Sequence, residues 1–193
     1  MSNENGRCTW CGDDPLYVNY HDTVWGRPEY DAQQLFEKLC LDGQQAGLSW
    51  ITILRKQVGY KEAFADFQPA LIAEFTEQDV ERLMLNPGIV RNRLKINSVI
   101  RNAKAFLAYE AEHGEGSFAT LLWSFVGGKP KINAWQSMSD LPAQTQESEA
   151  MSKALKKLGF NFVGPTICYA FMQAVGMVND HLVSCPSYQV CNS

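Results

Sequence analysis

Cysteine and histidine residues near both ends of the chain form the first pattern with a chemical use. Cys8 and His21 lie near the amino terminus, and the stretch HLVSC near the other end contains His181 and Cys185. If this stretch is helical, a spacing of four places both side chains on one face. Two thiolates and two imidazoles make the closed tetrahedral set that holds a structural zinc ion. The four residues are therefore candidate zinc ligands.

Two further cysteines allow a different ligand set. Cys11 forms a CxxC motif with Cys8, and Cys191 follows Cys185. These four cysteines could form an all-sulfur site in which the histidines are not ligands. An iron–sulfur cluster is less favoured, because its cysteines commonly lie closer together along the chain. Cys40 and Cys168 are interpreted as small apolar core residues. The residues alone leave the two sulfur-containing sets open.

A second pattern combines a carboxylate with aromatic rings. In LCLDGQQAGLSW, Asp42 ends an apolar helical run and Trp50 follows it. An unpaired buried charge costs several kcal/mol, so Asp42 is expected to have a partner. Flat rings stack on a nucleobase that has been flipped out of DNA, and a carboxylate accepts its amino proton or balances its positive charge. The alternative for each single ring is ordinary core packing. The rings are Trp10, Tyr17, Tyr20, Trp25 and Trp50.

The segment LMLNPGIVRNRLKINSVI is a third pattern, in which a helix ends, a Pro-Gly-Ile turn follows and a basic helix begins. In a helix-hairpin-helix motif, backbone amides of such a turn bind a DNA phosphate, which makes Gly88 and Ile89 candidates. The alternative is a plain helical hairpin with a solvated basic face. The nearby cations that suit a duplex backbone are Arg91, Arg93, Lys95, Arg101 and Lys104.

The elements that must position these residues are predicted to be helices. The 193-residue chain is 46% hydrophobic, which is enough for one large domain or two small lobes. Alternating strand-like runs and internal repeats are missing, so the class is all-α. Residues 127–145 are predicted to be a loop. Helices are predicted at 31–41, 46–58, 60–67, from Thr76 to the turn at 86–88, 91–112, 117–125, 148–158 and 165–175.

The composition narrows the class of protein. A net charge of −4 argues against a polybasic tail that binds nucleic acid. Local basic clusters are still compatible with this net charge. The opening MSNENGRCTW lacks the pattern of a secretory signal, and no apolar run reaches membrane-spanning length. We therefore expect a soluble cytoplasmic protein without a membrane partner, in which disulfides are disfavoured.

Three long segments resemble one known family. YHDTVWGRPEYD, GQQAGLSWITIL and FVGPTICYAFMQAVGMVNDH are similar to DNA-3-methyladenine glycosylase I, and the resemblance runs from Cys8 to Cys185. It implies an all-α helix-hairpin-helix glycosylase forming a single unit over residues 1–193, with the hairpin around 76–104. It further implies a monofunctional, monomeric enzyme that hydrolyses the N-glycosidic bond of 3-methyladenine in alkylated double-stranded DNA and releases the free base.

The resemblance also implies roles for individual residues. The zinc ligands of the family fall on Cys8, His21, His181 and Cys185, which favours this set over the one with Cys11 and Cys191. The metal would then join the two terminal segments rather than activate water, because a closed four-ligand site has no open position.

The base pocket of the family falls on Trp10, Tyr17, Tyr20 and Trp50, with a carboxylate at the position of Asp42. The family pattern has Glu there, so the side chain of this protein is one methylene shorter. We expect the cationic base to be held between flat rings, with Tyr20 and Trp50 stacking on it and Asp42 reading its polar edge.

Flipping a nucleotide leaves a gap that an inserted side chain usually fills. Gly47 and Leu48, beside the pocket segment, are candidates, although Leu48 is equally suited to helix packing. Two rival functions stay open: a zinc-stabilised DNA-binding module without turnover, and a related glycosylase with a different lesion preference.

Overall fold

The computed structural model describes residues 6–192, and its regular structure is almost entirely helical, which confirms the predicted dominance of α-helix. The described residues form three 3-10 turns at Thr9–Cys11, Ala65–Phe67 and Met138–Asp140. Their α-helices are α1 Pro15–Thr23, α2 Ala32–Gln44, α3 Trp50–Arg55, α4 Gln57–Ala63, α5 Pro69–Ala73, α6 Glu77–Met84, α7 Arg93–His113, α8 Ser117–Ser124, α9 Gln146–Lys157, α10 Pro165–Ala174 and α11 Pro186–Val190.

A small sheet corrects the prediction that strands are missing. β1 Lys131–Ile132 pairs in parallel with β2 Val178–Asn179, with Lys131 opposite Val178. Two residues are too short for an alternating pattern, so the sequence carries no strand signal here. The pairing attaches the loop after α8 to the segment after α10.

Helix α2 runs through the centre of the molecule and supplies the pocket carboxylate. The Asp31 carboxylate accepts a hydrogen bond from the Gln34 amide at 2.9 Å and starts the helix as predicted. The helix continues through Gly43 to Gln44, three residues beyond the predicted end at residue 41. A Cβ on Gly43 would lie 3.1 Å from the Phe162 Cβ, so a glycine here allows close packing. The fully buried apolar side chains of α2 include Leu35, Phe36 and Leu39.

The predicted hairpin is formed by α6 and α7. Thr76 caps α6 in a capping box with Asp79, whose carboxylate accepts from the Thr76 amide at 2.8 Å. Helix α4 lies directly against the turn, because a Cβ on Gly59 would come within 2.4 Å of the Gly88 carbonyl oxygen. Only a glycine at position 59 permits this approach.

Several short elements differ from the prediction. Residues 46–58 were expected to form one helix, but residues 45–49 are a loop and α3 starts at Trp50. Helices α1, α5 and α11 were not predicted, although each begins with a proline in its first turn, a usual helix-start signal. Between residues 6 and 192, no helix has the length and apolarity needed to cross a membrane.

Candidate functional site

The aromatic residues and Asp42 meet at one cavity of about 220 Å³. Asp14 caps α1 by accepting from the amides of Leu16 and Tyr17, so Tyr17 and Tyr20 project from one side of a regular helix. The cavity also has a wall from the loop at 127–145, which the sequence did not connect with the site. The lining includes the predicted Trp10, Tyr17, Tyr20, Asp42 and Trp50, together with Trp25, Lys38, Gln45, Met138, Leu141, Ala170, Gln173 and Ala174.

Unpaired polar atoms are concentrated at this cavity. Among the described residues, four buried side-chain nitrogen or oxygen atoms have no hydrogen-bond partner, and three of them belong to cavity residues. They are the indole Nε1 atoms of Trp10 and Trp50 and Oδ2 of Asp42. An unsatisfied buried polar group costs about 1–3 kcal/mol, so native proteins rarely keep one without a use. Two donors and one acceptor are thus available for a ligand with a polar edge.

The partner expected for Asp42 is Lys38, which the sequence reasoning missed. The two side chains are four residues apart on α2, and Lys38 Nζ donates to Asp42 Oδ1. The same ammonium lies 3.7 Å from the centre of the Trp50 ring. The spacing of four on a predicted helix was the available signal. Burial raises the pKa of Asp42, with Lys38 opposing that shift, and burial lowers the pKa of Lys38, with Asp42 opposing it.

The arrangement of Tyr20 and Trp50 does not match the expected sandwich. Their ring centres are 5.5 Å apart and their planes are inclined by 41°. A purine between two rings needs about 7 Å, because each stacking contact takes about 3.5 Å. The two rings therefore leave no slot for a purine between them, and the space beside them is the cavity. Burial, followed by the nearby Asp42 charge, holds the pKa of Tyr20 well above its usual value, so its hydroxyl stays protonated.

The four predicted zinc ligands come together in a second, adjoining site. The ligand atoms of Cys8, His21, His181 and Cys185 all lie within 4.8 Å of one another, and all four residues are buried. The Cys185 sulfur is 3.6 Å from His21 Nε2 and 3.7 Å from His181 Nδ1. Sulfur and nitrogen ligands at about 2.3 and 2.0 Å from a tetrahedral ion would be about 3.5 Å apart. The cluster therefore fits a metal ion.

The second nitrogen of each histidine is also positioned. His21 Nδ1 lies 2.8 Å from the Asp22 carboxylate, which in turn accepts from Arg7, and His181 Nε2 lies 3.1 Å from the carbonyl oxygen of Trp25. Partners of this kind orient the imidazoles of metal sites. Hydrogen bonding with Cys8 is the main cause that lowers the pKa of Cys185 and favours its thiolate.

The other cysteines take no part in this cluster. The Cys11 thiol donates to the Cys8 carbonyl oxygen at 3.2 Å, and the group of possible ligands includes neither Cys11 nor Cys191. The stretch that contains His181 and Cys185 is not helical, so the two side chains do not meet through a spacing of four on one helix. They lie in the turn between β2 and α11, where the Cys185 amide donates to the Leu182 carbonyl at 2.8 Å.

The cluster of four possible metal ligands and the cavity share their walls. Trp10 packs against Tyr17, at a ring-centre distance of 5.1 Å, and against His21, at 5.2 Å. Trp25 contacts His181, at 4.7 Å. Distortion of the ligand cluster would therefore displace aromatic walls of the cavity.

The hairpin residues differ in what they present to solvent. The Gly88 amide already donates to Asn86 Oδ1 at 2.8 Å, and Ile89 is buried, so its side chain is core. Arg91 is exposed. Arg93, by contrast, is held in an ion-paired cluster with Glu77 and Glu81, so it offers a free guanidinium only if that cluster opens.

Lys95 corrects the interpretation of the basic helix. It is only 6% exposed, and its ammonium donates to the carbonyl oxygens of Gln44 at 2.8 Å and Ala46 at 2.6 Å. It therefore satisfies the carboxyl-terminal end of α2 instead of facing a nucleic acid. The loop that follows carries Gly47, at φ +75°, and Leu48, which is 41% exposed and so outside the core.

Comparison with known proteins gives one consistent result. The model of the methyladenine glycosylase family matches residues 10–188. The chain is 52% identical to a DNA-3-methyladenine glycosylase of Haemophilus influenzae over 180 residues, which are 93% of this chain and 96% of that protein.

Solved structures indicate the same family. A crystal structure of 3-methyladenine DNA glycosylase I is 54% identical, has a TM-score of 0.91 and covers 93% of this chain and 98% of its own. A variant of such an enzyme with phenylalanine in place of one tyrosine, solved in complex with 3-methyladenine, is 44% identical with a TM-score of 0.90, covering 94% and 96% of the two chains.

Proposed function

Because the chain belongs to the methyladenine glycosylase family, we propose that it is a DNA-3-methyladenine glycosylase acting in base-excision repair. The observation that carries this is the aromatic cavity with the unpaired Asp42 Oδ2 and two unpaired indole N–H groups. The complex of a relative with 3-methyladenine supports the same ligand. The substrate is alkylated double-stranded DNA, and the products are the free base and an abasic site.

The chemistry needs little activation of the leaving group. Methylation at N3 gives the attached adenine a positive charge, so the base leaves as a neutral molecule when the C1′–N9 bond breaks and takes the bonding electron pair. Water adds to C1′ and releases a proton. Selection of the charged base therefore supplies much of the difference in excision rate between alkylated and normal adenine. No lysine nucleophile is needed.

Asp42 and the rings are proposed to select the base. The Asp42 carboxylate faces the amino edge and compensates the charge of the base, while the electron-rich faces of Tyr20 and Trp50 favour a cationic ring. Trp10 and Tyr17 complete the pocket wall. The shorter Asp, compared with the family Glu, makes a bridging water the expected link at its outer edge.

The DNA-binding surface is proposed to include the hairpin turn and the loop after α2. The backbone at Gly88 and Ile89, at the turn of a helix-hairpin-helix, would contact a phosphate together with the exposed Arg91. The phosphate would replace Asn86 as the acceptor of the two amides. Arg93 would join them by leaving its glutamate partners. Gly47 and Leu48 are exposed beside the pocket and suit the gap left by a flipped base.

The metal in the Cys8, His21, His181 and Cys185 cluster is proposed to be structural zinc. Two thiolates and two imidazoles match the preference of zinc, and a full set of four leaves no place for a catalytic water. The ion would connect the segment before α1 to the segment before α11. It would also hold Trp10 and Trp25 in the cavity wall.

The test is base release from methylated DNA. Wild-type protein should release 3-methyladenine, detected by chromatography, and Asp42→Asn should lose most of this activity while keeping its fold. Asp42→Glu should keep or raise activity, since it restores the family residue. Binding of DNA without release of any base would favour a binding module, and release of another lesion alone would favour a different base preference.

A further inference from the structure

Lys38 occupies the place in the cavity that a cationic ligand would seek. Its ammonium lies 3.7 Å from the centre of the Trp50 ring and is bonded to Asp42 Oδ1. The side chain of Lys38 is 16% exposed and that of Asp42 is 3% exposed, so the pair is largely removed from water. An aromatic face and a carboxylate are the two features that attract a cation in a protein. The Trp50 face and one oxygen of the Asp42 carboxylate are already used by a cation that belongs to the chain itself.

A stacked cationic purine cannot share this position. A ring on that face of Trp50 would lie about 3.5 Å away, at the distance now taken by the ammonium of Lys38. Two positive charges this close repel strongly in a partly buried site. Stacking of the base on that face of Trp50 therefore requires the ammonium to move, whereas Asp42 Oδ2 is free to accept from the base.

The structure offers a place for the displaced ammonium. Lys38 also lines a second cavity of about 270 Å³, whose charged walls are Glu29 and Glu37 together with Arg27. The Glu37 carboxylate is buried and holds Lys61 at 3.3 Å. Since the lysine stem is long and flexible, Lys38 can turn from the carboxylate of Asp42 towards these carboxylates.

We propose that Lys38 is a specificity-determining residue: a displaceable resident cation that competes with the alkylated base for Trp50 and Asp42. This rests on the proposed function, in which the cavity holds that base. Competition costs a charged ligand more than a neutral one, because only the charged ligand is repelled by the ammonium. Lys38 therefore weakens the preference of the pocket for the charged form of the base.

The experiment compares two purine probes on three proteins. The probes are 3-methyladenine, neutral at pH 8, and 3,9-dimethyladeninium, which carries the charge of the base while it is still attached to its sugar. The proteins are the wild type, Lys38→Met, which keeps the length without the charge, and Lys38→Arg, which keeps the charge. Calorimetry measures binding, and circular dichroism checks that each variant is folded.

The expected result is binding of the cationic probe at least about tenfold tighter to Lys38→Met than to wild type, with less than about a threefold change for the neutral probe. Lys38→Arg should bind the cation no better than wild type. If folded Lys38→Met binds the cation equally or more weakly, Lys38 orients Asp42 instead and the proposal is wrong.

A parallel excision assay on the wild type separates this result from the proposed function. No release of 3-methyladenine by wild type would refute the function, whatever the binding ratio. Release by wild type together with an unchanged binding ratio would refute only the role of Lys38. A crystal complex with the base in the cavity and the Lys38 ammonium still over Trp50 would also refute it.

Discussion

Asp180 is expected to be a main support of the pocket wall. It is 1% exposed, and its carboxylate accepts hydrogen bonds from four side chains. Asn133 Nδ2 and Trp135 Nε1 donate to Oδ1 at 2.7 Å each, while the Tyr169 hydroxyl and Gln173 Nε2 donate to Oδ2. The first two belong to the loop that carries Met138 and Leu141 into the cavity, and the other two belong to α10. One carboxylate thus attaches the cavity loop to the helical body.

Replacing Asp180 by Asn keeps the shape but not the acceptors. The amide NH₂ group would face two donors, so two hydrogen bonds to a charged group are lost, at about 1.5–3 kcal/mol each. We expect Asp180→Asn to lose about 3–6 kcal/mol of unfolding free energy. For a domain of this size that corresponds to a fall of roughly 10 °C in the melting temperature. The affinity for 3-methyladenine should fall as well, because the loop wall loosens.

The measurement is denaturant and thermal unfolding followed by circular dichroism, with zinc present in excess because Asp180 precedes the proposed ligand His181. The matched control is Asp13→Asn, the same change on an exposed carboxylate, which should stay within about 0.5 kcal/mol of wild type. A loss of less than about 1 kcal/mol for Asp180→Asn, with the control unchanged, would show that the four hydrogen bonds do not hold the loop.

Three further changes test other parts of the structure. His181→Ala should abolish stoichiometric zinc and lower the melting temperature, because metal binding contributes to folding free energy; metal analysis showing equal zinc in variant and wild type would remove His181 from the ligand set. Lys95→Met should lower the free energy of unfolding by about 2–3 kcal/mol, because two carbonyl groups at the end of α2 lose their donor. The control is Lys104→Met, an exposed position on the same helix, which should leave the stability unchanged. Equal effects of the two changes would contradict the inward role of Lys95. Glycine to alanine usually stabilises an open helix by about 1 kcal/mol. Gly59→Ala should instead destabilise the protein by about 1–3 kcal/mol, because the new Cβ meets the Gly88 carbonyl. A higher melting temperature would argue against the close approach of α4 to the hairpin turn.

Local sequence patterns predicted the helices whose starts depend on residues only a few positions apart. Asp31 and Thr76 were expected to start helices, and both do so with side chains that accept from amides three residues later or form a capping box. The residue types of the possible metal ligands were also visible, although their selection over Cys11 and Cys191 depended on the family resemblance. Such features depend on neighbours along the chain or on chemistry that few residue types share.

Only the tertiary structure decided what each charged side chain does. Lys95 belongs to a basic helix in the sequence, but packing places it beside carbonyl groups about 50 positions away, so it is buried. Lys38 is one more polar residue of an amphipathic helix until α3 places Trp50 against it. The loop at 127–145 has no sequence pattern that links it to the site, yet its hydrogen bonds to Asp180 hold it against the cavity. The sequence by itself determined the helices with clear caps and long periodic runs, and the kinds of chemical groups available, because these follow from local periodicity and residue type. Long-range packing determined which charges lose water and which partners they find, because desolvation depends on segments that are distant along the chain.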